Sequence, residues 1–189
     1  DPHFTQFYAN PIYLNPAFAG SYRCPRIVFN YRNQWPNISG TFVSTSFSFD
    51  MRVDALSGGL GLHFLNDRAG MGTMGITRFS GIYAYQVSIN RQFSMAFGFQ
   101  ATYGQKKLDW SKLTFGDMID PKYGFIYTTQ EIKNQELVSY PDFSVGALGY
   151  SKRFYAGVAA FHLTEPDEAF LGSGSPLPMK FTAHAGAMI

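Results

Sequence analysis

The stretch Ile76–Tyr103, ITRFSGIYAYQVSINRQFSMAFGFQATY, alternates like two β-strands joined by a tight turn. Odd positions from Phe79 to Ile89 and from Phe93 to Tyr103 carry mostly large apolar side chains, whereas even positions carry mostly small or polar ones. Because successive side chains of a strand point to opposite faces, each strand has one apolar face and one small, polar face. The stretch therefore predicts a long β-hairpin.

The turn fixes the register of this hairpin. With Asn90-Arg91-Gln92 as the loop, the apolar pairs are Ile89/Phe93, Val87/Met95, Tyr85/Phe97, Tyr83/Phe99, Gly81/Ala101 and Phe79/Tyr103. Each strand is about 10 or more residues long, against ~5–6 in soluble sheets. Crossing a bilayer takes ~9–11 residues per tilted strand. The pattern favours a membrane β-barrel over a soluble β-sandwich, which would also alternate.

The composition agrees with a barrel. Aromatic residues make up 17% of the 189 residues and charged residues 15%, where soluble domains carry about 25% charged residues. No apolar run reaches the ~18 residues that a transmembrane helix requires. The net charge of +2, without a basic stripe, gives no indication of nucleic-acid binding.

The remaining alternation predicts six further strands. They lie at residues 26–35, 41–53, 59–65, 142–151, 153–163 and 179–189. The predicted fold is thus an all-β, antiparallel outer-membrane β-barrel over residues 26–189, with eight visible strands. Its inward positions are small and would underfill a closed eight-stranded barrel, so we expect either a larger barrel or a plug.

The connectors are predicted to alternate in length. Segments 54–58, 90–92 and 151–153 are short, 66–75 is intermediate, and 106–140 and 164–178 are long. Barrels of this class place short turns in the periplasm and long loops outside the cell. We therefore expect 106–140 and 164–178 to be extracellular loops.

Residues 1–25 do not alternate and are predicted to form an extended periplasmic arm. Four prolines are spaced through aromatic residues, and Asn10-Pro11 and Asn15-Pro16 favour turn or extended backbone. An arm this aromatic should pack against another surface. The chain opens Asp1-Pro2 without methionine, which we interpret as removal of an export signal; trimming of the chain is the alternative.

Two runs resemble a known family. Residues 4–20, FTQFYANPIYLNPAFAG, and residues 30–36, NYRNQWP, are similar to the opening of PorP/SprF proteins. Weaker similarity follows at 151–155 and 162–166. These proteins are outer-membrane components of the type IX secretion system of Bacteroidota. Family members are longer, so the resemblance implies that the chain is the N-terminal portion of a larger barrel.

The resemblance implies a non-enzymatic role in secretion and gliding. The barrel would anchor the machinery in outer-membrane lipid through a periplasmic PorK/PorN ring and a peptidoglycan-binding partner. Alternatively, it would serve one large secreted surface adhesin. Two other classes remain open from the residues alone: a general diffusion porin, and a soluble adhesin or lectin.

Candidate interaction residues lie in the arm and in the first strand. We expect them to plug the barrel, line its periplasmic mouth or dock another subunit. Trp35 could equally belong to an interfacial aromatic belt. The candidates are Phe4, Phe7, Tyr8, Asn10, Pro11, Tyr13, Asn15, Pro16, Phe18, Asn30, Arg32, Gln34 and Trp35.

No catalytic, cofactor or metal motif is legible. The four histidines lack the spacing of metal ligands, and Gly70-Met71-Gly72 is followed by no helix that could bind a dinucleotide. Cys24 is the sole cysteine, so no internal disulfide can form. We expect no enzyme activity and no cofactor.

Overall fold

The computed structural model describes residues 2–37, 40–70, 73–120, 122–130, 136–170 and 174–187. Eight strands of this part form one antiparallel sheet in the order β1-β2-β3-β4-β5-β8-β9-β10, and β6 pairs with β7 separately. The strands are β1 Arg26–Gln34, β2 Phe42–Val53, β3 Gly58–Ala69, β4 Met74–Ser88, β5 Phe93–Leu108, β6 Ile119–Asp120, β7 Gly124–Phe125, β8 Leu137–Ser151, β9 Phe154–Phe161 and β10 Lys180–Ala187.

The sheet has the predicted all-β, antiparallel architecture and curves into a half-barrel. Strands β1 and β10 are its two edges and do not pair with each other in the described part of the chain. The predicted hairpin is confirmed in register, from Phe79 opposite Tyr103 to Val87 opposite Met95. Its strands hold 15 and 16 residues, which is longer than predicted.

Two loops were predicted with bounds that are too wide, because the strands on either side extend into them. Segment 66–75 was predicted as a loop, yet β3 continues to Ala69 and β4 begins at Met74. Likewise β5 runs to Leu108 and β8 begins at Leu137, inside the loop predicted at 106–140. The physical reason is that polar side chains do not end a ladder of backbone hydrogen bonds. Within the connector between β5 and β8, Gly124–Phe125 pairs with Ile119–Asp120.

Some predicted segments lie partly outside the described residues. These are the end of the last strand at 188–189, and parts of predicted turns and loops at 38–39, 71–72, 121, 131–135 and 171–173.

The two faces of the sheet have opposite character. The convex face exposes large apolar side chains, such as Phe79 at 53%, Phe97 at 48% and Tyr103 at 52%. The concave face buries small or polar ones, including Ser46 and Ala84. A soluble β-sandwich would bury its apolar face and expose its polar one. The distribution here is the reverse.

The arm was predicted to be one extended segment. It contains three short helical turns instead. These are Phe7–Ala9, Pro11–Leu14 and Pro16–Phe18. Proline occupies the first position of the latter two, where its missing N–H costs nothing. Asn15, which precedes a proline, is extended at φ −157° and ψ 122°. In the described residues no helix is long and apolar enough to cross a membrane.

Candidate functional site

A track of small residues crosses the concave face of the sheet and receives the arm. Its members are direct neighbours on successive strands from β3 to β9: Gly59, Ala84, Gly98, Gly146 and Ala159. A Cβ atom on Gly98 would lie 2.3 Å from the Ala17 nitrogen, and one on Gly146 would lie 2.0 Å from Asn15 Oδ1. The arm therefore lies in contact with the backbone of the sheet, at a distance that a larger side chain would prevent.

Asn15 joins the arm to three strands. Its side chain is fully buried, and Nδ2 donates to the carbonyl oxygens of Ala147 and Val158, both at 3.1 Å. The same nitrogen lies 3.1 Å from Nε2 of His184 on β10. Oδ1 accepts from the Ala17 N–H at 2.8 Å, which caps the third helical turn. One amide thus ties β8, β9 and β10 to the arm.

Asn10 makes the corresponding contact on the same concave face, near the other edge of the sheet. Its Nδ2 donates to Ser46 Oγ at 3.0 Å, and Ser46 Oγ lies 2.9 Å from Nε2 of His63. Between the two asparagines, Ile12 is 1% exposed and packs against Ile82 and Ala84. The arm is held by polar contacts at both sides and by an apolar contact in the middle.

The C-terminal end of the arm is fixed near the β2–β3 turn. The Gly20 N–H donates to Asp50 Oδ2 at 3.0 Å, and Arg26 Nε donates to Asp50 Oδ1 at 2.8 Å. Gln86 Nε2 donates to the Gly20 carbonyl at 3.0 Å. Gly20 has φ +66°, and a Cβ there would lie 2.4 Å from the Gly59 Cα. Glycine is therefore required at this position.

The aromatic residues of the arm divide into half-buried and exposed groups. Tyr13 donates to the Pro2 carbonyl at 2.8 Å, and its ring centroid lies 5.6 Å from that of Phe4. Burial raises the pKa of Tyr13 to about 12. Phe18 stacks on His184 at 5.1 Å. Phe7 and Tyr8 are 58% and 66% exposed.

The proline and asparagine candidates of the arm face the sheet. Asn10, Asn15 and Pro16 are buried, and Pro11 is half-buried. These four side chains position the arm and present little surface to a partner.

Strand β1 divides as its alternation predicts. The side chains of Asn30, Arg32 and Gln34 are half-buried on the concave side. Arg32 Nη1 donates to the His3 carbonyl at 2.5 Å, and its Nη2 donates to Gln34 Oε1. Trp35 is 55% exposed, with its ring centroid 5.8 Å from that of Phe42. Arg32 thus contacts the arm, whereas Trp35 does not share that site.

The described residues contain no group of three or more His, Cys, Asp or Glu side chains that could hold a metal ion. The family described as "Type IX secretion system membrane protein PorP/SprF" matches residues 1–189. The chain belongs to the PorP/SprF family. No curated protein and no solved structure matches the chain.

The residues of this PorP/SprF chain that receive the arm were not predicted from the sequence. They are Ser46, Asp50, His63, Gly98, Gly146 and His184. The sequence did show small side chains at even positions of several strands, and these predicted an underfilled interior. It did not show that these small residues are neighbours across the sheet, because that depends on how the strands pair.

Proposed function

We propose that this PorP/SprF protein is a non-enzymatic outer-membrane component that anchors the secretion and gliding machinery, or a secreted surface adhesin, at the outer membrane. The observation that carries the proposal is the arm seated in a sheet whose outer face is apolar. The wall would face lipid, and the interior is occupied by the protein's own chain.

The length of the apolar face supports placement in a bilayer. On β5 the outward side chains are apolar from Phe93 to Tyr103, and Gln105 and Lys107 follow. Ten residue intervals of ~3.4 Å, tilted by ~40°, span ~26 Å along the membrane normal. This matches the ~25 Å apolar band of outer-membrane barrels. Outer-membrane lipid is therefore the proposed surroundings, with the short turns in the periplasm.

The exposed part of the arm is the proposed partner surface. Phe7 and Tyr8 are exposed, as are residues 21–25, which lead into β1. Exposed aromatic side chains are frequent anchors of protein interfaces. Residues 21–25 follow Gly20, which is bound near the short β2–β3 turn, and are the proposed surface for the periplasmic PorK/PorN ring and a peptidoglycan-binding protein. Phe7 and Tyr8 lie between His3, bound to Arg32, and Asn10, bound to Ser46, towards the long connectors, and are the proposed surface for a large adhesin.

A general diffusion porin is less well supported. Such a channel needs an open, water-filled interior. Here Ile12, Ala17 and Ala19 of the arm are at most 1% exposed and pack against concave-face residues.

Purification from native membranes in mild detergent, followed by mass spectrometry, tests the proposal. We expect stoichiometric ring or translocon subunits if the protein anchors the machinery, or one large surface protein if it serves an adhesin. Recovery of the protein alone would contradict both roles.

A pair of variants tests whether the arm is the partner surface. Phe7→Ser with Tyr8→Ser should reduce a co-purifying adhesin at least tenfold. The control, Tyr123→Ser with Phe125→Ser, changes two equally exposed aromatic residues in the long β5–β8 connector and should have no effect. The opposite result would assign the partner to that connector and contradict the role of the arm.

A further inference from the structure

A second segment also covers the concave face, and it comes from the connector after β9. Residues 162–170, here called the lid, turn inward from the end of β9. His162 has φ +59°, and its Nδ1 lies 2.6 Å from Asp142 Oδ2 on β8. The Leu163 N–H donates to the Phe143 carbonyl at 3.0 Å. Residues 162–163, predicted as the end of a strand, thus lie beyond β9 and lead the connector predicted to be extracellular, 164–178, onto the interior of the sheet.

Glu168 fixes the far end of the lid. It is 7% exposed, and its carboxylate lies 3.1 Å from Lys106 Nζ and 3.8 Å from Arg78 Nη2. The Tyr140 hydroxyl donates to Oε1. Lys106 lies on β5, Arg78 on β4 and Tyr140 on β8. One side chain of the lid therefore contacts three strands.

The arm and the lid cover different parts of the concave face. The arm lies over the track of small residues and reaches Ser46 on β2 through Asn10. Glu168 binds Arg78 on β4 and Tyr140 on β8, which lie in the same cross-strand row as Ser46. Between them lies a polar cavity of about 30 Å³, lined by Tyr13 of the arm and His162 of the lid. That volume is enough for about two water molecules.

The two segments are held by different forces. The arm buries its backbone against glycines, and removing it would expose apolar surface and leave Asn15 without its partners. The lid is held by polar contacts: the Glu168 carboxylate, the contact of His162 with Asp142, and the backbone hydrogen bond from Leu163 to Phe143. A buried ion pair gains little over its separated, hydrated partners, because desolvation offsets the attraction. Opening the lid returns Glu168, Lys106 and Arg78 to water, so its cost is small compared with withdrawal of the arm.

We propose that residues 162–170 are a lid that opens at the long-connector end of the half-barrel while the arm stays in place, and that Glu168 is its latch. The lid exposes the polar cavity when it opens. The arm stays seated on the same concave face, from Ser46, bound by Asn10, to Asp50, bound by Gly20.

Thiol labelling of the purified protein in detergent tests the lid. In a Cys24→Ser background, Thr102→Cys reports on the face beneath the lid, since Thr102 is 7% exposed and lines the cavity. Ser46→Cys reports on the face beneath the arm, where Asn10 covers it. We expect Glu168→Gln to speed labelling of Thr102→Cys by a maleimide at least tenfold and to leave Ser46→Cys unchanged.

Glu165→Gln is the matched control, because Glu165 is an exposed acidic residue of the same lid. It should leave both labelling rates at their starting values. Three results would overturn the proposal: no acceleration by Glu168→Gln, equal acceleration at Ser46→Cys, or rapid labelling of Thr102→Cys with Glu168 intact. Equal acceleration would show that the whole sheet has loosened.

Discussion

Asn15 shows how much of the fold depends on a single side chain. Its amide supplies polar contacts to β8, β9, β10 and the adjoining turn of the arm. Local sequence predicted its backbone, because a proline follows, but could not predict its partners. Its partners on β8, β9 and β10 are more than 130 residues away in the chain, Ala147 being 132 positions distant.

Replacing Asn15 with alanine should destabilise the protein by about 1–3 kcal/mol, because buried groups lose their hydrogen-bond partners. Urea unfolding in detergent measures the change. Asn37→Ala is the control, since Asn37 is exposed in a turn. Equal effects of the two substitutions would mean that the Asn15 contacts do not stabilise the arm.

Glu168 should make stability depend on pH in the acid range. Burial alone would raise its pKa, but the hydrogen bonds from Tyr140 and Lys106 and the charges of Lys106 and Arg78 together lower it below 4.5. A carboxylate with a lowered pKa stabilises the folded state fully above its unfolded pKa, and this contribution is lost as the pH falls through the folded pKa.

The expected result is a higher melting temperature for the native protein than for Glu168→Gln at pH 7. The difference should shrink as the pH falls below 4.5 and vanish once Glu168 is protonated in the folded state. Thermal melts of both proteins across this range check it. A difference that stays constant with pH would show that the charge of Glu168 is not what holds the lid.

At the scale of elements, the β4–β5 hairpin was predictable and the arm was not. The hairpin follows from period-two alternation, and its register follows from the turn. The arm follows no period. Its route depends on glycines that adjoin only after β3, β4, β5 and β8 have paired.

Two glycine-to-alanine substitutions should differ in their effect on the position of the arm, because only one of the glycines lies beneath the arm. Gly98→Ala should displace the arm, because its Cβ would lie 2.3 Å from the Ala17 nitrogen. Gly81→Ala lies on the neighbouring strand with no atom within 4 Å of its Cβ and should be tolerated. Limited chymotrypsin digestion checks this: cleavage after Tyr13 should rise at least tenfold in Gly98→Ala alone. Equal cleavage in both variants would mean that the track does not seat the arm.

The apolar side chains of the sheet lie on its exposed convex face and the small, polar ones on its buried concave face, which is the reverse of a soluble sheet. Alternation predicted two faces of different character, and strand length indicated which solvent each face meets. Neither the alternation nor the strand length shows which segments fill the interior of the sheet. The concave face is filled by the arm and by the lid, and both are irregular segments whose contacts depend on specific polar side chains.

The protein's own arm is packed on the concave face of the half-barrel, so we expect no open channel through it. Current recordings of the protein purified from native membranes and reconstituted in planar bilayers measure this. No steady conductance is expected from the native protein. Steady, open-channel conductance with the arm intact would show an open interior and assign the protein to the diffusion porins.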